Sequence, residues 1–449
     1  MKNDLLNGKP IKSIIMFALP IMASSMLQYN YNLVDNIIVG RFIGTDALAA
    51  VGSVGAINGF VIGTALGLTS GFTITVAQSF GAGDKNKMNK YAGNSITLSV
   101  IIGAVIVIAA HLLCYPLLRL LNTPENIIDM AAGYLDVLYF AVPVQMLLNN
   151  FNALSRAVGE SKKPLYFLIA SVFVNLILDL LFVAHFKLGV VGAAWATNIS
   201  QIVAAVLAGV YILRFNKQLN ITYNDLKPDC KVVFNQIKMG IPISLQFTIT
   251  SIGSMTLQTA VNGFGANVIA GFTAAGRVEQ LTNIPMSGLG VGTMTFVSQN
   301  YGAGNYERII KSVRKIFLLD IAVSIVCSLL LVTIGPSVVK LFMTDYNADI
   351  IYAAKHYLSA IAQCYSLVAV LFVFRNTLQG LGFTYANTIA GAGELFGRLA
   401  VALIFTNLIG FNAICYAGPA AWLLADIPLV VIYLKKQSEF KKLAKKEVN

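Results

Sequence analysis

The sequence predicts an all-α polytopic membrane protein with twelve transmembrane helices in two six-helix bundles. Three observations carry this expectation: long apolar runs, the scarcity of charge within them, and an internal duplication. The 449-residue chain is 57% hydrophobic and only 12% charged, about half the charge of an average soluble domain. A run of about 20 apolar residues spans roughly 30 Å of hydrocarbon at about 1.5 Å per residue. No polar linker separates soluble domains, which excludes an ordinary cytosolic enzyme.

Apolar runs between polar punctuation place the spans over 14–38, 47–75, 94–118, 130–153, 164–186, 190–213, 237–262, 268–298, 316–335, 352–374, 384–408 and 412–434. The first run follows Met1 to Lys12 without a small-residue cleavage site, so a retained helix is expected rather than a signal peptide. The resulting organisation is an N-terminal six-helix lobe over 1–213, a cytoplasmic linker over 214–236, a C-terminal six-helix lobe over 237–434 and a basic cytoplasmic tail over 435–449.

The formal net charge of +12 would point to nucleic acid in a soluble protein, but here the charge sits in the loops. Assigning Lys and Arg to alternate gaps puts 25 of the 32 on one side, the tenth gap contributing only Arg375. The positive-inside rule therefore predicts that both termini face the cytoplasm of a cell-membrane protein. Lys435 to Lys446 read as a solvated end against anionic lipid, and no nucleic-acid partner is expected.

The five cysteines form no CxxC pair, and the three histidines at 111, 185 and 356 lack metal-ligand spacing; no cofactor is expected. No GxxxxGK[ST] motif or nucleophile-base pair occurs, which argues against an enzyme and against ATP-driven transport by this chain alone. Energy must then come from an ion gradient or a partner.

Thr75 to Asp84 aligns without gaps on Phe296 to Asn305, with five of ten positions identical at an offset of 221. The same offset pairs Gly44-Thr45-Asp46 with Gly265-Ala266-Asn267, and an offset of 222 pairs Leu19-Pro20-Ile21 with Ile241-Pro242-Ile243. Each copy holds six spans, an even number, so the halves share one orientation about an axis along the membrane normal. The Gly-Ala-Gly segments read as helix-ending turns.

A carboxylate at the bilayer centre costs about 2.5 to 3.5 kcal/mol on insertion scales, so each needs a partner, a cavity or a function. Gln28, Tyr31, Asn32 and Asp35 fall on one face of the first span. Asn175 and Asp179 share a face of the fifth span, and Thr197 of the sixth can project a hydroxyl towards them. These groups are oxygen donors, suited to a hard cation or a shared proton. Glu394 and Arg398, four apart, read as an internal structural ion pair. Glu279 and Asp426 are expected at an interface and Asp320 near the cytoplasmic face. Thr256 and Leu257 stand at the repeat position of Asp35, so the coupling site is expected in the first half only.

Leu33-Val34-Asp35 followed by Gly40-Arg41-Phe42-Ile43-Gly44, both Gln-x-x-Gly-Ala-Gly turns, Asn175 to Asp179 before Leu188 to Ala194, and Arg277-Val278-Glu279 together resemble the bacterial type of the multidrug and toxic compound extrusion (MATE) family. The resemblance implies two bundles facing each other in a V with pseudo-twofold symmetry around a central cavity. It also implies monomeric export of cationic or amphipathic drugs in exchange for H⁺ or Na⁺, and hence antibiotic resistance. By the same resemblance, Asp35, Asn175, Asp179 and Thr197 match an ion-coupling site in the first lobe, with Na⁺ at that site as the only metal. Pro20 matches a bend in the first helix. Gln28, Tyr31, Asn149 and Asn152 match a drug chamber, and Asn32 on the same stripe is grouped with them. Acids that some relatives carry in the seventh and tenth helices are missing here, which leaves a second-lobe cation site in doubt. A lipid-linked oligosaccharide flippase of related fold is the alternative, although a diphosphate headgroup would call for several cavity cations.

Overall fold

The structure is a computed structural model that describes residues 5–43, 50–52, 54–120, 123–341 and 348–448. The Gly44-Thr45-Asp46 part of the repeat, and with it the end of the Gly40 to Gly44 motif, lies outside the described residues. Among the described residues the regular structure is helical, with no strand. The first half contains α1 (Pro10–Phe42), α2 (Gly55–Gly81), α3 (Lys85–Leu120), α4 (Glu125–Phe140), α5 (Val142–Ala157), α6 (Lys162–Asp179) and α7 (Gly189–Val210). A short α8 (Tyr223–Leu226) precedes α9 (Cys230–Asn262), α10 (Ala266–Gly302), α11 (Tyr306–Thr333) and α12 (Gly335–Leu341). The rest comprises α13 (Ala348–Gln363), α14 (Ser366–Gly380), α15 (Tyr385–Ala400), α16 (Thr406–Ile409), α17 (Phe411–Cys415) and α18 (Ala417–Val448).

Among the described residues, eight helices are long and apolar enough to cross a membrane, or ten if each of two bent pairs makes one span. The bends are 48° between α4 and α5 and 55° between α13 and α14. Helices α9 and α10, with 33 and 37 residues, have ample length at about 1.5 Å per residue. Both are rich in Gly, Ser, Thr and Gln, which lowers their hydropathy.

The backbone repeats what the sequence duplicates. Proline lies inside both 33-residue helices, at Pro20 of α1 and Pro242 of α9. π-helical turns follow α6 at Leu180–His185 and α15 at Val401–Phe405. Gly83 and Gly304 adopt φ of 73° and 75°. Each ends its helix in a paired cap: Asp84 N–H donates to Ser79 and Gly83 N–H to Phe80, as Asn305 and Gly304 do to Asn300 and Tyr301. A side chain at these left-handed positions would be strained, which is why glycine occupies them.

The chain forms two compact units, one of Met1–Met22 with Leu245–Asn449 and one of Ala23–Ser244. This partition differs from the sequence halves, because each unit takes the opening turns of a long helix from the other half. In the Ala23–Ser244 unit, a Cβ on Gly71 would stand 2.3 Å from the Gly240 backbone, and one on Gly67 2.5 Å from that of Ser244. In the other unit Gly288 faces Met22 and Gly292 faces Ala18, the same contacts at repeat-equivalent positions. Small residues let these helices approach closely where packing, not hydrophobic exclusion, drives association in lipid.

The linker is folded onto the Ala23–Ser244 unit. Asn94 of α3 donates to the carbonyls of Asp225 and Lys227 at 3.0 and 3.3 Å and accepts from the Asp229 N–H at 2.9 Å. Lys90 Nζ meets Asp229 Oδ2 at 2.6 Å. That hydrogen bond, followed by the backbone N–H groups of Val232 and Lys231, holds the Asp229 carboxyl below the usual carboxylate range.

Candidate functional site

Within the Ala23–Ser244 unit, α1, α6 and α7 bring Tyr31, Asp35, Asn175, Asp179 and Thr197 together. Asp179 ends α6 directly before the π-helical turn, and both Asn175 and Asp179 are buried, at 2% and 1% exposure. The amide orientation that satisfies Asn175's neighbours lets its nitrogen donate to Asp179 Oδ2 at 2.7 Å. Its oxygen then accepts from the Tyr31 hydroxyl at 3.2 Å and the Thr197 backbone N–H at 3.3 Å. Tyr31 OH and Thr197 Oγ1 are 3.3 Å apart.

The Asp35 and Asp179 carboxyls lie within hydrogen-bonding reach of one another. Each keeps a buried Oδ1 that no hydrogen bond satisfies. Two carboxylates at that separation cannot both stay ionised without a proton or cation between them. The set offers carboxyl, amide, phenol and hydroxyl oxygens, which suit a proton or a small hard monovalent cation. Among the described residues no group of three His, Cys, Asp or Glu could hold a metal ion, so the site is built around two carboxyls.

The other expected site residues are placed elsewhere. Gln28 and Asn32 are exposed on α1, with Gln28 Nε2 donating to Asn32 Oδ1 at 3.3 Å. Asn149 and Asn152 lie three residues apart on α5, both partly buried, and Asn152 Oδ1 has no hydrogen-bond partner. Asn150 between them is fully buried and bonds Ser95 and Ser99, a packing role. Pro20 is buried inside α1, two residues before the point where that helix passes from one unit to the other.

In the other unit Glu394 accepts from Arg398 at 3.5 Å, and a closer partner is Arg375. Arg375 was expected in a cytoplasmic gap. It lies instead inside α14, which runs on to Gly380, with its side chain 12% exposed. Asp426 and Asp320 are packed inside this unit, at 5% and 0% exposure. Tyr134 of α4 is the residue that sequence reasoning missed at the carboxyl pair. It is buried and in electrostatic reach of both Asp35 and Asp179, but a tyrosine in an apolar helix carries no spacing signal. Arg375 did have a signal, since it stands 223 residues after Asn152, the offset that also relates Asn175 to Arg398.

This fold and its buried polar interior define a multi-pass α-helical membrane transporter. The MatE family profile matches residues 20–181 and 242–410, and the chain belongs to that family. It is 27% identical over 96% of its length, and 94% of the relative's, to the probable multidrug resistance protein YoeA of Bacillus subtilis. It is 24% identical over 94% of its length, and 93% of the relative's, to the multidrug export protein MepA of Staphylococcus aureus. A solved MATE structure in a bent conformation superposes with a TM-score of 0.89 at 24% identity, covering 100% of this chain and 99% of that one. Members of the family are transporters, not enzymes.

Proposed function

We propose that the protein is a secondary active multidrug efflux transporter that exports cationic or amphipathic small molecules in exchange for H⁺ or Na⁺. The observation that carries this reading is the pair of half-buried Asp35 and buried Asp179, each with an unsatisfied buried oxygen, with Tyr31, Asn175 and Thr197 bonded together beside Asp179. The names of the relatives favour drug export over the flippase alternative. The distribution of Lys and Arg supports cytoplasmic termini in the plasma membrane, and the chain acts as a monomer.

With both carboxyls charged, their field favours a cationic drug arriving from the cytoplasm, with Gln28, Tyr31, Asn32, Asn149 and Asn152 supplying polar contacts. Proton or Na⁺ entry from outside removes that attraction, and α1 repacks about Pro20, where the missing N–H leaves a weak point. One inward charge contributes about 2.3 kcal/mol per 100 mV, about a fiftyfold gradient of a neutral drug. Efflux from proteoliposomes under a pH gradient alone and a Na⁺ gradient alone tests the reading. One of the two should drive export; export indifferent to both would refute antiport.

A further inference from the structure

In the unit of Met1–Met22 with Leu245–Asn449, the repeat of the first-half site has been rebuilt around arginine. At an offset of 223 residues Arg398 stands where the first half has Asn175, Arg375 where it has Asn152, and Ala402 where it has Asp179. Glu394 takes both guanidinium groups and the Thr250 hydroxyl at 3.5 Å. Arg398 also donates to the Thr250 carbonyl at 3.4 Å. The position of the missing carboxyl is filled by alanine, and the carboxyl appears one helix away, on α18.

That carboxyl is Asp426. It is 5% exposed, neither oxygen has a hydrogen-bond partner, and it lies in the electrostatic reach of Arg375 and Glu394. The helices carrying Glu394 and Asp426 are in close contact: a Cβ on Gly393 would stand 2.6 Å from the Leu424 carbonyl oxygen, and one on Gly397 2.7 Å from the Ala421 backbone. A carboxylate left unpaired in so dry an interface is costly, and the neutral acid removes that cost. The charged groups around it are Arg375 from α14, Glu394 and Arg398 from α15, and, beyond Arg398, Glu279 of α10, which accepts from Tyr357 at 2.7 Å. Three acids against two arginines leave one excess negative charge, which one proton neutralises. Asp320 of α11 is a further buried carboxyl of this unit without a hydrogen-bond partner.

We propose that Asp426 is a second proton-carrying group of the transporter and that Arg375 is its switch, shared between Glu394 and Asp426. With Asp426 protonated, Arg375 pairs with Glu394, as in this structure. When the proton leaves to water, Arg375 turns to the new carboxylate and Glu394 keeps Arg398, so neither Asp426 nor Glu394 is left without a guanidinium. Two arginines on one glutamate make that exchange available; a single arginine would strand one acid. The proposal rests on the antiport reading for its link to transport, but not for the protonation itself.

Infrared difference spectra of the reconstituted protein between acidic and alkaline pH test the protonation. The wild type should show a carboxylic-acid carbonyl band that Asp426→Asn removes and Asp426→Glu shifts. In weakly buffered liposomes, Asp426→Asn should also lower the protons moved per drug exported by about one, with Asp426→Glu restoring the count. A purely structural role would change thermal stability and leave the count alone. Identical carbonyl bands in wild type and folded Asp426→Asn, or an unchanged proton count, would overturn the proposal. Export by the wild type that ignores every ion gradient, with the Asp426 band still present, would instead count against antiport while leaving the proton site standing.

Discussion

Tyr31 on α1 and Thr197 on α7, 166 residues apart in sequence, bring their hydroxyls to 3.3 Å beside the Asp35 and Asp179 pair. Asn175 ties these groups together by donating to Asp179 and accepting from Tyr31 and the Thr197 backbone. The contact joins α1 to the α6 and α7 pair, which is why the proposed mechanism passes a change in carboxyl charge to the first helix.

The duplicated backbone with unduplicated chemistry makes the first prediction. Asp179→Asn and Asn175→Ala should cut ion-coupled efflux by about tenfold or more, a loss of at least about 1.4 kcal/mol in coupling. Ala402→Ser, at the repeat position of Asp179, should leave coupling within about twofold of wild type. Efflux from proteoliposomes at matched protein content separates the two, and equal damage from Ala402→Ser would mean that the repeat position of Asp179 also carries a coupling role.

Helix approach makes the second. Gly71→Ala forces a methyl to within 2.3 Å of the Gly240 backbone, so α2 and α9 must separate. Overpacking of this kind costs about 1 to 3 kcal/mol, and the detergent-solubilised variant should melt several degrees lower. Gly83→Ala should also destabilise, through its positive φ, without touching that interface. An unchanged melting temperature for Gly71→Ala would show that the helices have room to part.

Asn94→Ala removes the side chain that holds the Asp225, Lys227 and Asp229 backbone. Limited proteolysis should then cut between Asn216 and Cys230 faster than in wild type, with efflux reduced less than cleavage is accelerated. Lys90 depresses the Asp229 carboxyl, so this contact stabilises the folded linker above the ordinary carboxylate range and weakens as pH falls through the lowered value. Acid should therefore speed cleavage in wild type, and Lys90→Met should blunt that acid effect.

The helical pattern, the duplication and the polar stripe on α1 were all legible in the sequence, because apolar periodicity and repeat identity are local signals. The segment exchange was not, since nothing in the identity of Met22 or Ser244 says which copy of the repeat packs on it. Arg375 misled for a physical reason: an arginine after an apolar run looks like a loop residue, and only the glutamate 19 positions later, folded against it, makes a buried guanidinium tolerable. The burial of Asp426 was no more legible, because it depends on the close helix approach that Gly393 and Gly397 allow on the neighbouring helix. Tyr134 was invisible because its contribution comes from α4 lying beside the carboxyl pair.

Pro20 supplies the fourth prediction. Pro20→Ala restores a backbone donor within α1 and stiffens the helix close to where it passes between the units. Turnover should fall by several-fold while equilibrium drug binding changes by less than about twofold. Weakened binding with unchanged efflux would contradict a hinge at this position.

The central claim is that the Asp35 and Asp179 pair converts cation entry into drug export. Asp35→Asn keeps the shape of the side chain and removes its ionisable group, so wild type and Asp35→Asn should be compared in the same proteoliposomes, with efflux driven by an imposed inward H⁺ or Na⁺ gradient. The account predicts gradient-driven efflux in the wild type and a loss of about tenfold or more in Asp35→Asn, with insertion and thermal stability retained. Gradient-driven efflux by Asp35→Asn at the wild-type rate would contradict it.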